Sequence, residues 1–124
     1  MILVDTSVWI EFLRGRSPFF QALSVLLEDR RVLALECVFA ELMQGAKDAS
    51  ERRIVSEYWS SLPQYTKPRL MLEAGVESST HGWANRGIGL IDGMILLAAR
   101  DSIAQIWTLD KKLQSLLKRS EIYA

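Results

Sequence analysis

The stretch Met1-Ile2-Leu3-Val4-Asp5-Thr6-Ser7-Val8-Trp9-Ile10 decides the fold of this chain. Three aliphatic residues follow the first methionine without polar alternation, which is typical of a short strand buried on both faces of a parallel sheet. This strand ends at Asp5, and a helical pattern of apolar residues follows it. Asp5 is therefore predicted to lie where a central strand leads into a helix. In open α/β sheets, ligands bind at the carboxyl ends of the strands.

The rest of the chain alternates short apolar strands with amphipathic helices. Further strands are predicted at 32–35, around Tyr65, at 103–109 and at 122–123. Helices are predicted from Pro18 to the charged run at 28–31, and over 37–46, 50–62, 70–86, 92–100 and 110–117. The segment 92–100 is apolar around its whole circumference, which predicts a buried helix. The pattern predicts a single domain over residues 1–124, a three-layer α/β/α architecture with a central, mostly parallel sheet of four to five strands.

Composition narrows the class of protein. Fifteen Lys and Arg balance fifteen Asp and Glu, so no global basic field can hold a nucleic acid by charge alone. Cys37 is the only cysteine, which excludes a disulfide framework and fits a reducing compartment. There is no signal-peptide pattern, and the longest apolar run, 94–99, is far shorter than the roughly 20 residues of a membrane span. We expect a soluble, cytoplasmic protein that has no membrane partner.

Four acidic residues are predicted to lie near one edge of such a sheet. Asp5 and Asp110 follow predicted strands, Glu41 lies inside the predicted third helix, and Asp92 begins the buried helix. If the strands pair as expected, the four carboxylates meet in one pocket, where they repel one another unless they protonate or bind a cation. A site made of oxygen ligands, without a nearby histidine, suits Mg²⁺ or Mn²⁺ and not Zn²⁺.

Mg²⁺ held by carboxylates makes a bound water more acidic and stabilises charge on a phosphodiester, which is the chemistry of a nuclease. Thr6, Ser7 and Thr108 stand next to the acids, where their hydroxyls could orient a carboxylate or a water, or serve as caps. Basic residues near the same edge are candidates for phosphate contacts, with a solvated surface as the alternative: Arg14, Lys111 and Lys112.

Each acid also has a simpler interpretation. Asp5, Asp92 and Asp110 all precede predicted helices, where a carboxylate caps free N–H groups and suits the helix dipole. Glu41 lies at the flank of an apolar stripe and could be solvated. On this interpretation the chain is a non-catalytic protein-binding module. A phosphoacceptor signalling domain is a third hypothesis, but it needs adjacent acids after its first strand, and Asp5 stands alone.

Four stretches, in this order and spacing, resemble the motifs of the PIN-domain family: VDTSVWI (4–10), AELMQG (40–45), GIGLIDGMI (87–95) and WTLDKK (107–112). Within that family the chain looks like the short VapC-type toxins of bacterial toxin–antitoxin pairs, over essentially its full length. The resemblance implies a PIN-like fold and a metal-dependent endoribonuclease in which Asp5, Glu41, Asp92 and Asp110 are catalytic. It also implies a VapB-type antitoxin partner that blocks the site, and a homodimer.

The resemblance also implies how the acids share the work. Asp5, Asp92 and Asp110 are expected to hold Mg²⁺, with Glu41 binding it directly or through water. Hydrolysis of RNA by an Mg²⁺-activated water would leave a 5′-phosphate and a 3′-hydroxyl. RNA rather than DNA is implied by the resemblance alone, because a water nucleophile needs no 2′-hydroxyl. The alternative is a PIN-like module without activity, in which the acids serve only as helix caps.

Overall fold

The strand at the start of the chain forms the centre of the molecule. A computed structural model describes every residue from Met1 to Ala124. Strand β1 (Ile2–Val4) is parallel to β2 (Val32–Leu35) on one side and to β4 (Gln105–Trp107) on the other, and β3 (Gln64–Tyr65) pairs with β2. The sheet order is β3-β2-β1-β4. Ile122 adds a parallel bridge to Ile106, so the expected parallel sheet of four to five strands is confirmed.

Seven helices connect and cover the strands: α1 (Thr6–Leu13), α2 (Phe19–Glu28), α3 (Glu36–Gly45), α4 (Ala49–Ser61), α5 (Leu70–His81), α6 (Leu90–Ser102) and α7 (Lys111–Gln114). All three residues of β1 are at most 1% exposed, because helices cover both faces of the sheet. This confirms the three-layer prediction. None of the helices combines the length and the apolar character that crossing a bilayer requires.

The helix before Gly87 is shorter than predicted. It ends at His81, not at Arg86, because Gly82 adopts a left-handed conformation with φ +65° that closes the helix. A short 3₁₀ helix, Ala84–Arg86, follows. The buried helix α6 begins at Leu90, two residues earlier than predicted, so Asp92 lies inside its first turn.

An aromatic cluster holds three helices together on one side of the sheet. The Trp9 ring of α1 lies 5.3 Å from the Phe39 ring of α3 and 5.5 Å from the Tyr58 ring of α4, measured between ring centroids. Rings in edge-on or tilted contact at these distances stabilise each other beyond the area they bury. The position of α3, and with it that of Glu41, is therefore fixed against α1.

Candidate active site

Asp5 lies at the carboxyl end of β1 and is only 6% exposed. It is the N-cap residue of α1, yet its carboxylate caps no backbone N–H. Instead, the Oδ2 atom accepts hydrogen bonds from the Ser7 hydroxyl at 2.8 Å and the Thr108 hydroxyl at 2.7 Å. The Ser7 hydroxyl in turn accepts from the Leu109 N–H at 3.1 Å. The capping interpretation therefore does not hold for Asp5, whose second oxygen, Oδ1, is left free for another partner.

Thr108 connects the two strands whose ends carry acids. It is 4% exposed, and while it donates to Asp5 its hydroxyl oxygen accepts from the Asp110 N–H at 3.0 Å. Asp110 does cap a helix, because its Oδ1 accepts from the Lys112 N–H at 2.8 Å at the start of α7. One oxygen of Asp110 thus serves the fold, and the other accepts no hydrogen bond within the chain.

Glu41 lies on α3 and is half-buried, so it is not the solvated helix position that its flanking place in the sequence allowed. Its Oε1 accepts a hydrogen bond from the Thr6 hydroxyl at 2.6 Å. Thr6 is the first residue of α1, directly after Asp5. This bond brings a carboxylate from the third helix to the edge where β1 ends.

Asp92 is placed by unusually close packing of α6 on its neighbours. A Cβ atom on the next residue, Gly93, would lie 3.1 Å from the Trp83 ring and 3.5 Å from the Ala74 side chain. A side chain at this position would force the Trp83 ring to move by a few tenths of an ångström, so glycine favours the close approach of the helix. The first turn of α6 is thereby held against α5 and the buried Trp83, and the Asp92 side chain is half-buried.

The electrostatics of Asp92 show that the four acids lie near one another. Burial, followed by the charges of Asp110 and Asp5 and, more weakly, Glu41, raises the pKa of Asp92 from 3.8 to about 6. The backbone of Gly89 opposes this shift, because it favours the charged form of Asp92. Like charges that disfavour ionisation in this way are a mark of functional sites.

Three of these acids line an open cleft of about 1630 Å³: Glu41, Asp92 and Asp110. Asp5 is buried and does not line the cleft, although its charge still acts on Asp92. The supporting hydroxyls predicted from the sequence each contact an acid, as Thr6 does with Glu41 and as Ser7 and Thr108 do with Asp5.

The three basic residues predicted to contact phosphate do not line the cleft. Arg14 is exposed and lines a separate cavity of about 350 Å³, which borders Glu41. Lys111 and Lys112 are both exposed at the start of α7. The Lys112 ammonium lies against Gly87, where a Cβ would come within 2.9 Å of Nζ. Of the three, Lys112 alone lies beside the loop that leads to Asp92.

The family comparison agrees with these motifs. The PIN domain family matches residues 2–118, which is nearly the whole chain. The chain belongs to the PIN-domain family. Ribonuclease VapC32 of Mycobacterium tuberculosis is 32% identical to it over 126 residues, covering 98% of this chain and 94% of the relative, in both strain CDC 1551 and strain H37Rv. The resemblance inferred from the four stretches is confirmed.

Solved structures show the same PIN fold. A toxin–antitoxin complex from Klebsiella pneumoniae matches with a TM-score of 0.71 and 20% identity, covering 90% of this chain and 88% of that one. VapBC2 from Rickettsia felis, bound to a DNA fragment from its promoter, matches with a TM-score of 0.69 and 18% identity, covering 98% and 96%. At these identities the likeness establishes the fold.

The donor set of this PIN domain fits a hard divalent cation. Every donor is a carboxylate oxygen, the ligand type that Mg²⁺ and Mn²⁺ prefer. In Asp5, Glu41 and Asp110 one oxygen is held by the chain while the other has no hydrogen-bond partner. No side-chain nitrogen or oxygen is both fully buried and unpartnered, so these free oxygens reach solvent.

No group of three or more carboxylate, thiol or imidazole side chains lies close enough together to form a complete metal site. The assignment of Asp5, Asp92 and Asp110 as metal ligands therefore stays a prediction. Mg²⁺ usually keeps several waters and binds proteins through one or two carboxylates, so the looser arrangement still fits a hydrated ion.

Several cleft residues were not identified as site residues from the sequence. Cys37 lines the cleft, but burial and the charges of Glu41 and Asp5 raise the pKa of its thiol to about 12, so it stays protonated and unreactive. Trp59 and Arg69 also line the cleft. The only signal for the segment around Arg69 was a connection bracketed by prolines, and prolines do not reveal which surface a loop faces.

Proposed function

We propose that this PIN domain is a metal-dependent endoribonuclease that acts as the toxin of a VapBC-type toxin–antitoxin pair, within a single domain over 1–124. One arrangement carries the proposal: Glu41, Asp92 and Asp110 line the same cleft, where burial, followed by the charges of Asp110, Asp5 and Glu41, raises the pKa of Asp92 to about 6. Four acids from four elements are costly to bring together, and helix capping does not require it. The name of the relative, Ribonuclease VapC32, supports RNA as the substrate.

In this proposal Asp5, Asp92 and Asp110 would hold Mg²⁺, or Mn²⁺ in its place, and Glu41 would bind directly or through water. When bound, the ion supplies Lewis acidity to a phosphate oxygen and to the attacking water. Ser7 and Thr108 fix one oxygen of Asp5 and leave the other free. Thr6 does the same for Glu41.

The partner in this proposal is a VapB-type antitoxin that covers the cleft. The matching structures from Klebsiella pneumoniae and Rickettsia felis are described as a toxin–antitoxin complex and as VapBC2. The cleft itself suits a protein segment, because about half of the residues that line it are apolar. An antitoxin lying there would prevent RNA from reaching the acids.

We also propose a homodimer. One face of α5 exposes Met71, Leu72 and Val76 by 56–59%, and a contiguous apolar face of this kind marks an interaction surface. Open space above Gly75 would let a second copy approach closely. Sedimentation should show a dimer that Val76→Glu converts to a monomer. The matched change Ile54→Glu, at an exposed position of α4, should leave the dimer intact; if Val76→Glu also leaves it intact, α5 is not the interface.

A non-catalytic PIN module remains the second candidate because Asp110 does cap α7. Purified protein dialysed against EDTA should cleave RNA only after Mg²⁺ or Mn²⁺ is added back, leaving 5′-phosphate ends. Asp92→Asn should abolish cleavage while circular dichroism shows an intact fold. Asp29→Asn, at an exposed helix end, is the control and should remain fully active. Cleavage that persists in EDTA or in Asp92→Asn would refute the proposal.

A further inference from the structure

The short loop 87–89 leads into the first turn of α6 and determines where Asp92 lies. Gly87 has a φ of +73°, and Gly89 has open space where a side chain would begin. Glycines at both ends of a loop give its backbone unusual freedom. Between them only Ile88 is buried, at 3% exposure. The position of Asp92 therefore depends on the contacts that hold this loop from outside.

The Lys112 side chain covers the face of Gly87 on which a side chain would begin. A Cβ atom there would lie 2.9 Å from Nζ, 3.4 Å from Cε and 3.5 Å from Cδ of Lys112. None of the salt bridges of the chain includes Lys112, so the contact is one of packing and not of charge. Lysine side chains often pack their aliphatic stem on a neighbouring surface while the ammonium stays in water.

The same residue is joined to Asp110 through its backbone. The Lys112 N–H donates to Oδ1 of Asp110 at 2.8 Å. Two residues later, Nε2 of Gln114 donates to the Thr108 carbonyl at 2.8 Å, which fastens α7 to the end of β4. Lys112 therefore contacts both the Asp110 carboxylate and the loop that leads to Asp92.

A second contact joins the same two segments, but it is weaker. Nη2 of Arg86, directly before the loop, donates to the Ser115 hydroxyl at 3.5 Å, and both residues are exposed. A hydrogen bond of this length lies at the limit of useful geometry. Lys112 is therefore the residue of α7 on which the position of the loop chiefly depends.

We propose that Lys112 is a positioning residue, whose aliphatic stem holds the Asp92 turn at a fixed distance from Asp110 so that both carboxylates bind one hydrated divalent cation. This inference rests on the proposed metal-dependent function. It gives Lys112 a role other than the phosphate contact predicted from the sequence, and the ammonium charge is not required for it. When the loop is displaced in part of the molecules, the apparent affinity for the cation falls with the fraction in which it is in place.

The first test measures amide hydrogen exchange in the metal-free protein by NMR. The Ile88 N–H donates to the Trp83 carbonyl at 3.1 Å, so its exchange rate reports opening of the loop. Lys112→Ala removes the stem and should speed this exchange severalfold. Lys112→Met keeps a stem of similar length without the charge and should restore the slow exchange. If the exchange in Lys112→Ala is as slow as in the wild type, Ile88 alone holds the loop and the proposal is overturned.

The second test measures Mn²⁺ binding by isothermal titration calorimetry in the absence of RNA. Lys112→Ala should lower the affinity about tenfold, as expected when a residue that orients metal ligands is removed. Lys112→Met should recover the wild-type affinity. Lys47→Ala is the matched control, because Lys47 is an exposed lysine in the connection between α3 and α4. In cleavage assays, a higher Mg²⁺ concentration should restore the kcat of Lys112→Ala, because saturation with the ion compensates for the weaker site.

The outcomes separate this role from the alternatives. An equal loss of Mn²⁺ affinity in Lys112→Met and Lys112→Ala would show that the charge acts and not the stem, which overturns the proposal. Weaker RNA binding in Lys112→Met, with normal Mn²⁺ binding in Lys112→Ala, would make Lys112 a phosphate contact instead. Mn²⁺ binding and cleavage by the wild type, with no response to Lys112→Ala, refutes the positioning role alone. Absence of Mn²⁺ binding by the wild type refutes the proposed function and the positioning role together.

Discussion

Asp5 and Asp92 both belong to the proposed metal site, but the fold accommodates their carboxylates in opposite ways. Asp5 is buried in the sheet, where two hydroxyls donate to one of its oxygens. Asp92 is half-buried at the start of a helix, where burial and three other carboxylates raise its pKa to about 6. The surroundings of Asp5 favour its charged form, because they donate hydrogen bonds to it. The surroundings of Asp92 disfavour its charged form.

This difference separates what the fold needs from what the chemistry needs. Hydroxyls that solvate a buried charge stabilise the folded state, so removing them should be costly. A carboxylate held among like charges destabilises the folded state, and such an arrangement persists where function benefits from it. Changes at the two positions should therefore move stability in opposite directions while both lower activity.

The largest effect is expected from Thr108→Val. This change keeps the shape of the buried side chain but removes the hydroxyl that donates to Asp5 at 2.7 Å and accepts from the Asp110 N–H. A lost hydrogen bond to a buried charged group costs about 2 kcal/mol, and urea denaturation should show that loss. Because Asp5 loses its orientation, kcat for RNA cleavage should also fall.

The control for this change is Thr80→Val. Thr80 is exposed, and its hydroxyl donates only to the Val76 carbonyl within α5, so stability should change little. Thr108→Ser keeps the hydroxyl and should recover most of the lost activity. If Thr108→Val were as stable as the wild type, the hydrogen bond from Thr108 to Asp5 would contribute nothing to stability. The contrast between Asp5 and Asp92 would then be wrong.

The next effect, smaller and opposite in sign, is expected from Asp92→Asn. Two pKa units correspond to roughly 3 kcal/mol, and screening by solvent at this part-exposed group reduces the effect to about 1 kcal/mol. Without metal, the variant should therefore be more stable than the wild type at pH 7 by about that amount. Asp29→Asn, at an exposed position, should match the wild type.

The pH dependence gives the sign of this effect independently. The pKa of Asp92 is about 6 in the folded protein and near 3.8 when unfolded, so the folded state binds more protons between these values. Stability from this group is complete below about pH 3.8 and is lost as pH rises through 6. Urea midpoints from pH 3.5 to 7 should show this loss in the wild type and not in Asp92→Asn. If the urea midpoints of the wild type and of Asp92→Asn changed in parallel with pH, the pKa of Asp92 would not be raised in the folded protein.

The sequence predicted the elements that carry strong local signals. The aliphatic run before Asp5 and the apolar segment after Asp92 each define a buried element by composition alone, so both elements were identified, although α6 begins two residues earlier than predicted. The end of α5 was missed because Gly75 and Gly82 look alike in sequence. Gly75 continues the helix, whereas Gly82 ends it with φ +65°, and no local sequence pattern distinguishes the two.

The contacts within the site could not be predicted in the same way. The bond from Thr6 to Glu41 joins residues 35 positions apart, and the bond from Thr108 to Asp5 joins residues 103 positions apart. Such pairs follow from strand register and helix orientation, which local patterns do not specify. Arg69 was missed for a related reason: it lies in a connection without periodicity, so nothing local indicates that it faces the cleft.

The smallest effect on stability is expected at a strained residue that lies away from both acids. This residue is a reference point for the comparison of Asp5 with Asp92. Ile103 ends α6 with φ +55° and is 91% exposed, so it bears the cost of a left-handed backbone with little packing in return. Ile103→Gly should raise the free energy of unfolding by about 0.5–1 kcal/mol, because glycine adopts this conformation freely but loses more entropy on folding. Ile103→Ala keeps the Cβ and should gain much less. RNA cleavage should be unchanged in both variants, because Ile103 lies outside the proposed site. A fall in activity would show that the acids are coupled to the carboxyl end of α6.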